Sequence, residues 1–363
     1  MIPMFKVRMS KEALKNVGRV FESGMIGEGP EVAKFTHKLE EYFECKNVIP
    51  LNSGTSSLTL ALRLAGVGGG EVITTPFTMI ATNVTIKATG AEPIFADIEE
   101  DNVNISIESI RSKITSRTRA IILTHVAGIP CRMDKALTLG LPIISDAAHA
   151  IGTYYQGVHI SHWADYSCFS FQSIKHLTTG DGGAIIVKDD AKYRLAEKLK
   201  WFGMTRVIPK GKTRLQHQMT TDVEEWGYKF HMNDISAAIG LANLKDLNST
   251  ITRHWHNALY YRSELHDIDG LSLPTIPFGS EPSWFAFPLF VERRDDFIQM
   301  MIEKGIETTP MWRRNDEYTT FKREGTPLPN MTKLQDKIVF IPVGWWLSWE
   351  DREYIVNTIK GGW

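Results

Sequence analysis

The sequence has few cysteines and no excess of charge of either sign. Its three cysteines, Cys45, Cys131 and Cys168, are too few and too scattered for a disulfide framework or a zinc ribbon. Lysine and arginine total 41 against 42 aspartates and glutamates, so the formal net charge is −1. A protein that coats nucleic acid normally carries a basic excess. We therefore expect reduced thiols, a cytoplasmic location and no nucleic-acid partner.

Long apolar runs are also missing from the 363 residues. The longest, residues 119–127, falls far short of the roughly 20 residues that a membrane helix needs. Residues 1–6 show no charged leader followed by an apolar stretch. We therefore predict neither a signal peptide nor a membrane partner. Hydrophobic residues make up 43% of the chain, an ordinary globular share, and the length predicts about two domains.

Between residues 50 and 190, short apolar runs alternate with helical patterns. We predict helices at residues 56–64, 79–88 and 106–114, the last capped by Asn104 or Ser106. The predicted strands lie at residues 72–75, 93–98, 120–126, 142–145, 167–171 and 182–187. Strands that alternate with helices indicate a mostly parallel α/β sheet.

The pattern changes after residue 190. A helix at 191–201 is followed by a predicted polar loop at 203–221, whose length favours a binding role. This loop carries the basic residues Arg206, Lys210, Lys212 and Arg214. An amphipathic helix is predicted at 233–247.

From about residue 250 we predict a smaller α+β region. Its strands are expected at 286–291 and 338–341, and its last helix starts at Ser348 with Asp351 in a capping box. The predicted domains are therefore residues 1–245 and residues 246–363.

Lys175 lies just after a predicted core strand and before a turn rich in glycine and threonine. A buried lysine is costly unless its amine is neutral or paired. Burial also gives the lowered pKa that a lysine needs to bond covalently to a carbonyl compound. Ser170 precedes it by five residues, so both side chains can contact one ligand. A surface lysine at a strand end explains the segment equally well.

Asp146 follows the predicted strand 142–145, at the end where open α/β sheets bind ligands. A carboxylate there can keep a pyridinium nitrogen protonated. His149 is close enough in sequence to contact the same ring. An aspartate that caps the next turn and a core histidine are the alternatives.

Residues 52–57, with the sequence Asn-Ser-Gly-Thr-Ser-Ser, stand directly ahead of a helix. Free N–H groups and small side chains at a helix start form a phosphate site without any basic residue. By contrast, the glycines at 66–70 follow a helix rather than a strand. We interpret them as a helix-ending turn and not as a dinucleotide fingerprint.

A phosphate site, a strand-end aspartate and a downstream lysine, in that order, are typical of a pyridoxal phosphate (PLP) enzyme. The chain resembles the sugar aminotransferases of the DegT/DnrJ/EryC1/StrS family nearly from end to end. The matching motifs lie at residues 26–32, 52–55, 90–97, 146–149, 170–175, 178–183 and 227–240. The resemblance implies PLP fold type I, with a three-layer large domain around a mostly parallel sheet and a smaller C-terminal α+β domain.

The resemblance also implies roles for the matching residues. Lys175 would hold PLP covalently and then carry a proton between Cα and C4′, while Asp146 would keep the pyridine nitrogen protonated. The other expected cofactor contacts are His149 near the ring hydroxyl, the Ser170 hydroxyl on the phosphate, and the amides of Gly54 and Thr55 on the phosphate.

By the same resemblance, L-glutamate would convert PLP to pyridoxamine phosphate (PMP). PMP would then pass the amino group to a keto carbon of a sugar linked to a nucleotide diphosphate. We favour C4 over C3 of a deoxysugar. Sites in the family form in a homodimer, so residues near 229 would serve the partner subunit's phosphate.

The chain departs from the family pattern at three places. Met79 stands where many members stack an aromatic ring on the pyridine, and Lys229 stands where a phosphate-binding asparagine is common. The segment with Trp312, Arg313 and Arg314 is not a general family feature, and it either shapes a sugar pocket or forms a packed aromatic corner. We expect the cations for the substrate pyrophosphate in the 206–214 loop and at Lys229, Arg313 and Arg314.

Two alternative functions follow from the same residues. A dehydrating branch of the family replaces the lysine with histidine, but here Lys175 is present and His176 merely follows it. A regulator that keeps the fold without catalysis would have no need for Asp146, Ser170 and Lys175 together. Both observations favour transamination.

Overall fold

The computed structural model describes residues 1–206, 211, 213–321 and 327–363. The first part of the chain forms α1 (Ala13–Ser23), α2 (Pro30–Phe43), β1 (Val48–Leu51), α3 (Gly54–Leu64), β2 (Glu71–Thr74), α4 (Ile80–Ala88), β3 (Glu92–Phe95), α5 (Ile107–Lys113), β4 (Thr118–Thr124), α6 (Met133–Leu137), β5 (Ile143–Asp146), β6 (Tyr154–Tyr155), β7 (Val158–His159), β8 (Tyr166–Ser170), β9 (Gly183–Val187) and α7 (Asp190–Leu199).

The rest of the described chain forms α8 (Arg214–Thr220), α9 (Asp234–Leu244), α10 (Leu247–Glu264), β10 (Leu271–Ser272), β11 (Ser280–Glu281), β12 (Phe287–Val291), α11 (Arg294–Glu303), α12 (Pro329–Leu334), β13 (Ile338–Ile341) and α13 (Trp349–Lys360). Short 3₁₀ turns lie at Val126–Gly128, Ile160–His162 and Asn315–Glu317.

A seven-stranded sheet with the order β1-β9-β8-β5-β4-β2-β3 forms the centre of the molecule. Strands β8, β5, β4, β2 and β3 are parallel, whereas β9 runs antiparallel to both β8 and β1. The mostly parallel sheet predicted from the alternating pattern is therefore confirmed.

Helices cover both faces of this sheet. Along β4, Ala120 and Ile122 contact the core under α3, α4 and α7, whereas Ile121 and Leu123 contact the core under α2, α5 and α6. Side chains alternate between the two faces of a strand, and here both faces are buried, which explains the continuous apolar run in the sequence.

The C-terminal region contains the antiparallel sheet β10-β12-β13, packed with α10, α11 and α13. Its core includes side chains from the first 130 or so residues of the chain, among them Met4, Phe77 and Val126. We place the domain boundary between α9 and α10, near residue 246, as a proposal.

Most predicted elements are found within a few residues of their expected bounds, and the capping details agree. The Ser106 hydroxyl accepts a hydrogen bond from the Ser109 amide, so Ser106 rather than Asn104 is the N-cap of α5. The capping box of Ser348 and Asp351 is present at the start of α13. No helix in the described ranges has the length and apolarity that crossing a membrane requires.

The interpretation of 203–221 as a loop is wrong in its second half. Thr213 and Gln216 form a capping box that starts α8, because each side chain binds the other residue's amide. The helix predicted at 233–247 ends at Leu244, and α10 begins at Leu247. Lys210 and Lys212 lie outside the described residues.

Candidate active site

A cavity of about 400 Å³ opens at the edge where the parallel strands end. Strand β1 runs in the same direction as β8, so the turns after β1, β2, β4, β5 and β8 meet at this edge. The cavity is lined by Ser53, Gly54, Thr55, Thr78, Met79, Thr82, Asp146, His149, Ser170, Lys175, Phe285 and Trp312, with others. Carboxyl ends of strands are where open α/β sheets bind ligands.

Asp146 is the last residue of β5 and is 5% exposed. One carboxylate oxygen accepts a hydrogen bond from the Thr82 hydroxyl at 2.7 Å, and the other accepts from the Ala148 amide at 3.2 Å. Burial raises the pKa of this carboxyl, while the Thr82 hydroxyl, the Ala148 amide and the Lys175 amine oppose the rise. The carboxylate is thus fixed in orientation and faces the cavity with its charge only partly compensated.

Lys175 lies in the turn that follows β8, where its own amide binds the Gln172 carbonyl at 2.9 Å. Burial lowers the pKa of its amine to about 8, and the Asp146 carboxylate opposes this shift. The Nζ atom lies 4.3 Å from the centre of the Phe285 ring. Among the described residues no hydrogen bond holds this amine, so it can move within the cavity.

His149 contributes a buried imidazole to the wall of the cavity. Its ring stacks on Phe285, with centres 4.0 Å apart, and on Trp312, with centres 5.5 Å apart. Burial lowers the pKa of His149 well below its usual value, with the Lys175 and His176 charges adding to the shift, so the imidazole is neutral. Its Nδ1 atom has no hydrogen-bond partner within the described chain.

The start of α3 forms a narrow cup beside Ser170. Ser53 caps the helix by accepting from the Ser56 amide, and the first intrahelical bond runs from the Ser57 amide to the Ser53 carbonyl. The amides of Gly54 and Thr55 therefore lack intrahelical acceptors within the described chain. A Cβ on Gly54 would lie 2.9 Å from the Ser170 Cβ, so only glycine fits there.

Met79 is the N-cap residue of α4 and borders the cavity with its side chain 52% exposed. Trp312 lines the cavity as well, in stacking contact with His149. The structure thus brings together Lys175, Asp146, Gly54, Thr55, Met79, His149, Ser170 and Trp312.

Four predicted residues lie outside the cavity lining. Arg206 pairs with Glu28 at 3.0 Å and stacks on Trp201 at 4.5 Å. Lys229 has an exposed side chain, and its backbone pairs with Trp201.

The other two of these residues are Arg313 and Arg314. Arg313 is exposed and pairs with Glu317 at 3.0 Å. Arg314 is mostly buried and makes a two-pronged contact with Asp316, at 2.7 and 2.8 Å. We therefore regard Arg314 as an anchor of the 311–316 segment.

Sequence reasoning missed three residues of the site. Thr82 binds Asp146, Phe285 contacts Lys175 and His149, and Asn315 bonds to Asn83 and to the Thr78 carbonyl. Thr82 lies three residues after Met79 on α4, so its helical position was the only sequence signal. Nothing in the sequence marks the other two.

The model of the DegT/DnrJ/EryC1/StrS aminotransferase family matches residues 7–360. The spore coat polysaccharide biosynthesis protein SpsC of Bacillus subtilis is 34% identical, over 79% of this chain and 75% of that protein.

Solved structures agree with the family match. The sugar aminotransferase CalS13 of Micromonospora echinospora is 35% identical and covers 100% of both chains, with a TM-score of 0.94. Spr1654 of Streptococcus pneumoniae, solved in a PLP form and a PMP form, is 26% identical over 99% of this chain and 98% of that one. Its TM-scores are 0.89 and 0.91. By the family match and the full-length likeness to CalS13, the chain belongs to the DegT/DnrJ/EryC1/StrS family and is an aminotransferase.

Proposed function

We propose that this aminotransferase uses PLP to move the amino group of L-glutamate onto a keto carbon, C4 in preference to C3, of a nucleotide-linked deoxysugar. The observation that carries the proposal is the meeting of Lys175, Asp146 and the Gly54–Ser170 cup in one cavity. CalS13, which is named a sugar aminotransferase, and SpsC, which is named for polysaccharide biosynthesis, support a sugar substrate.

The side chains in the cavity fit PLP. The Gly54 and Thr55 amides and the Ser170 hydroxyl suit a phosphate, because a helix start favours an anion. Asp146 suits a protonated ring nitrogen, and the unpartnered Nδ1 of His149 suits a polar ring substituent. Lys175 has a lowered pKa and an unbonded amine, as covalent attachment requires.

When bound, PLP supplies an aldehyde that takes up an amino group and a ring that accepts electrons from the neighbouring carbon. Asp146 would hold a proton on the ring nitrogen by pairing its carboxylate with the charged ring, which would oppose the rise in its pKa that burial causes. Thr82 and the Ala148 amide keep that carboxylate in one orientation. The carboxylate would therefore face the ring nitrogen, where a positive charge would favour its ionised form.

Lys175 moves the proton. With a pKa of about 8, the Nζ atom is mostly protonated at pH 7 and half protonated near pH 8, and a group in that range can both take and give a proton. With PLP bound, the Nζ atom would take a proton from the α-carbon of the donor amino acid and would give one back on the cofactor side. Phe285 and Trp312 form the aromatic part of the wall beside this transfer.

We further propose that the active enzyme is a homodimer with shared sites. Lys229 does not line the cavity of its own chain and presents an exposed side chain. Exposed apolar side chains lie at Phe202 and Trp226, in segments bonded or adjacent to Tyr228, and at Met25 and Ile26, next to Gly27, whose carbonyl accepts the Asp234 amide. A second copy covering these residues would bring Lys229, with Arg206, toward the phosphates bound by its partner.

A sugar dehydratase is the second candidate, because that branch of the family uses histidine in place of the lysine. In this chain His176 is buried and is not among the residues that line the cavity. Its Nε2 atom contacts the Ser283 carbonyl at 3.1 Å. Lys175 is the residue that faces the cavity, which favours transamination. The same complete set of Lys175, Asp146 and Ser170 disfavours a regulator without catalysis.

The first test uses the purified protein reconstituted with PLP. We expect a visible absorbance from the covalent link at Lys175, and L-glutamate should bleach it as PMP forms. Borohydride reduction followed by peptide mass analysis should place the cofactor on Lys175. Lys175→Ala should abolish steady turnover, whereas Lys188→Ala, at an exposed turn, should not.

Two outcomes would overturn the proposal. One is full transaminase activity in Lys175→Ala, and the other is a reconstituted protein without cofactor absorbance. The substrate is tested with a panel of 4-keto and 3-keto sugars linked to GDP, dTDP and UDP, with glutamate as donor. A product mass that shows loss of oxygen without gain of nitrogen would favour the dehydratase.

A further inference from the structure

Phe285 lies where two functional groups of the cavity meet. Its ring contacts the Lys175 amine at 4.3 Å and stacks on the His149 imidazole at 4.0 Å. Phe5 stacks on it as well, at 4.9 Å. The ring is 3% exposed, so it forms a solid part of the wall.

The short loop Ser283–Phe285 is bonded from several sides. His176 contacts the Ser283 carbonyl at 3.1 Å, and His254 contacts the Trp284 carbonyl at 2.8 Å. The Phe285 amide donates to the Ala127 carbonyl at 2.8 Å. Each residue of the loop thus has a backbone group fixed by a different part of the chain.

The loop also contains a strained residue. Trp284 has φ +53°, in the left-handed region that non-glycine side chains rarely adopt, and it is 2% exposed. Such strain persists only where the surroundings impose it, and it is common at functional sites. Here the imposed conformation presents the next side chain, Phe285, to the cavity.

From this arrangement we propose that Phe285 is a positioning residue, whose ring holds the Lys175 amine and the His149 imidazole in their reactive places. The proposal rests on the proposed function, because the groups it positions are those assigned to PLP. The ring face attracts the ammonium form weakly and holds the neutral amine by van der Waals contact, and it makes no directional bond that would tie up the nitrogen. Lys175 is therefore retained beside the ring and can leave it in each cycle.

The covalent capture of PLP isolates this effect. In that step Nζ forms a double bond to the aldehyde carbon, and the aldehyde oxygen leaves as water with both amine protons. The rate depends on where the neutral amine is held. PMP has no aldehyde and cannot react with Lys175, so its affinity reports the rest of the cavity.

The experiment compares wild type with Phe285→Leu, which keeps an apolar side chain but removes the ring face. Capture of PLP is followed by visible absorbance in rapid mixing, at a pH well above 8, where the amine is neutral. We expect the capture rate of Phe285→Leu to fall roughly tenfold, because a misplaced reacting group costs that much or more. The dissociation constant of PMP should change by less than about threefold.

Two further variants separate positioning from a general loss of structure. Phe285→Tyr keeps the ring face, and we expect it to restore most of the capture rate. Phe290→Leu removes a buried ring from β12 outside the cavity lining, and it should leave the capture rate unchanged.

The results distinguish this inference from the proposed function. Unchanged capture in Phe285→Leu, with normal capture in wild type, would overturn the role of Phe285 alone. Equal losses of capture rate and PMP affinity would show a merely structural role and would also overturn it. Wild-type protein that does not capture PLP would overturn the proposed function and the inference with it.

Discussion

Gly128 is packed against the loop that carries Phe285, so adding a side chain at Gly128 tests how tightly this loop is packed. A Cβ at this position would lie 2.5 Å from the Ser283 Oγ, 2.9 Å from the His149 carbonyl oxygen and 2.9 Å from the Trp284 amide nitrogen. Two of these three atoms belong to the backbone and cannot turn away. The residue also has φ +85°, where a side chain is strained whatever space is present.

The expected cost of Gly128→Ala has two parts. Placing an alanine in the left-handed conformation costs about 1–2 kcal/mol. Forcing a methyl into a filled space typically costs a further 1–3 kcal/mol or so. We therefore expect the free energy of unfolding to fall by about 3 kcal/mol.

The neighbouring residue offers a matched control. Ala127 already has φ 58° and ψ 12°, so Ala127→Gly relieves backbone strain of the same kind. The gain is offset by the greater chain entropy of glycine when unfolded and by the loss of a buried methyl. We expect the free energy of unfolding of Ala127→Gly to change by no more than about 1 kcal/mol. The adjacent variant Gly128→Ala should lose much more.

Urea denaturation of the cofactor-free proteins, at matched protein concentration, measures both changes. Gly128→Ala should also slow PLP capture, since displacing Ser283 and Trp284 moves Phe285. If Gly128→Ala unfolds at the same urea concentration as wild type, the packing argument for this loop is refuted. Equal losses in the two variants would refute the argument as well.

Three further predictions concern single contacts. Thr82→Val removes the hydroxyl that binds Asp146 at 2.7 Å, so the pKa of Asp146 should rise further. We expect the turnover rate to fall roughly tenfold and the acid limb of the pH–rate profile to move to higher pH. Gly54→Ala places a Cβ 2.9 Å from the Ser170 Cβ, and calorimetry should show at least a roughly tenfold loss of PMP affinity. His125 accepts the Cys131 amide at Nδ1, and burial lowers its pKa to about 3. The unfolded chain therefore binds a proton that the folded chain excludes, and stability is lost as pH falls below about 6.5 toward 3. His125→Gln should reduce that loss by about 1.4 kcal/mol per pH unit between pH 6 and 4, measured by urea denaturation.

Each of these predictions has a control in the same chain. Thr85→Val removes a hydroxyl that bonds only to the α4 backbone among the described residues and should leave the pH profile in place. Gly18→Ala meets nothing within 4 Å in the described structure and should leave PMP affinity unchanged. His37→Gln changes an exposed histidine and should not alter the acid slope. A control that behaves like its paired variant would contradict the corresponding contact.

The site residues that could be predicted from the sequence lie at the ends of strands or soon after them. Asp146 and Ser170 end apolar runs, and Lys175 comes soon after, so their meeting at one sheet edge follows from the parallel order of strands. Gly54 was found because small residues precede a helix. These features are local in sequence, and the fold brings them together in a regular way.

The missed features depend on contacts between distant segments. Phe285 reaches the cavity from a loop that other elements fix, and Asn315 acts through its bonds to Asn83, more than two hundred residues away. No periodicity or spacing encodes such contacts. The start of α8, by contrast, could have been predicted from the sequence, because Thr213 and Gln216 have the spacing of a capping box.

The pairing of β1 with β9 has a consequence for how the chain folds. Leu51 lies opposite Gly183, and a Cβ on Gly183 would lie 2.6 Å from the Gly54 amide nitrogen, so the proposed phosphate cup is closed by a strand roughly 130 residues later. During synthesis, the edge of β1 therefore stays unpaired until β9 has been made. Closing the large loop between these two strands is slow. If the proposed cup binds PLP, the cofactor cannot guide these early steps, because the cup does not exist until they are complete. We therefore expect PLP to bind only chains that have already folded.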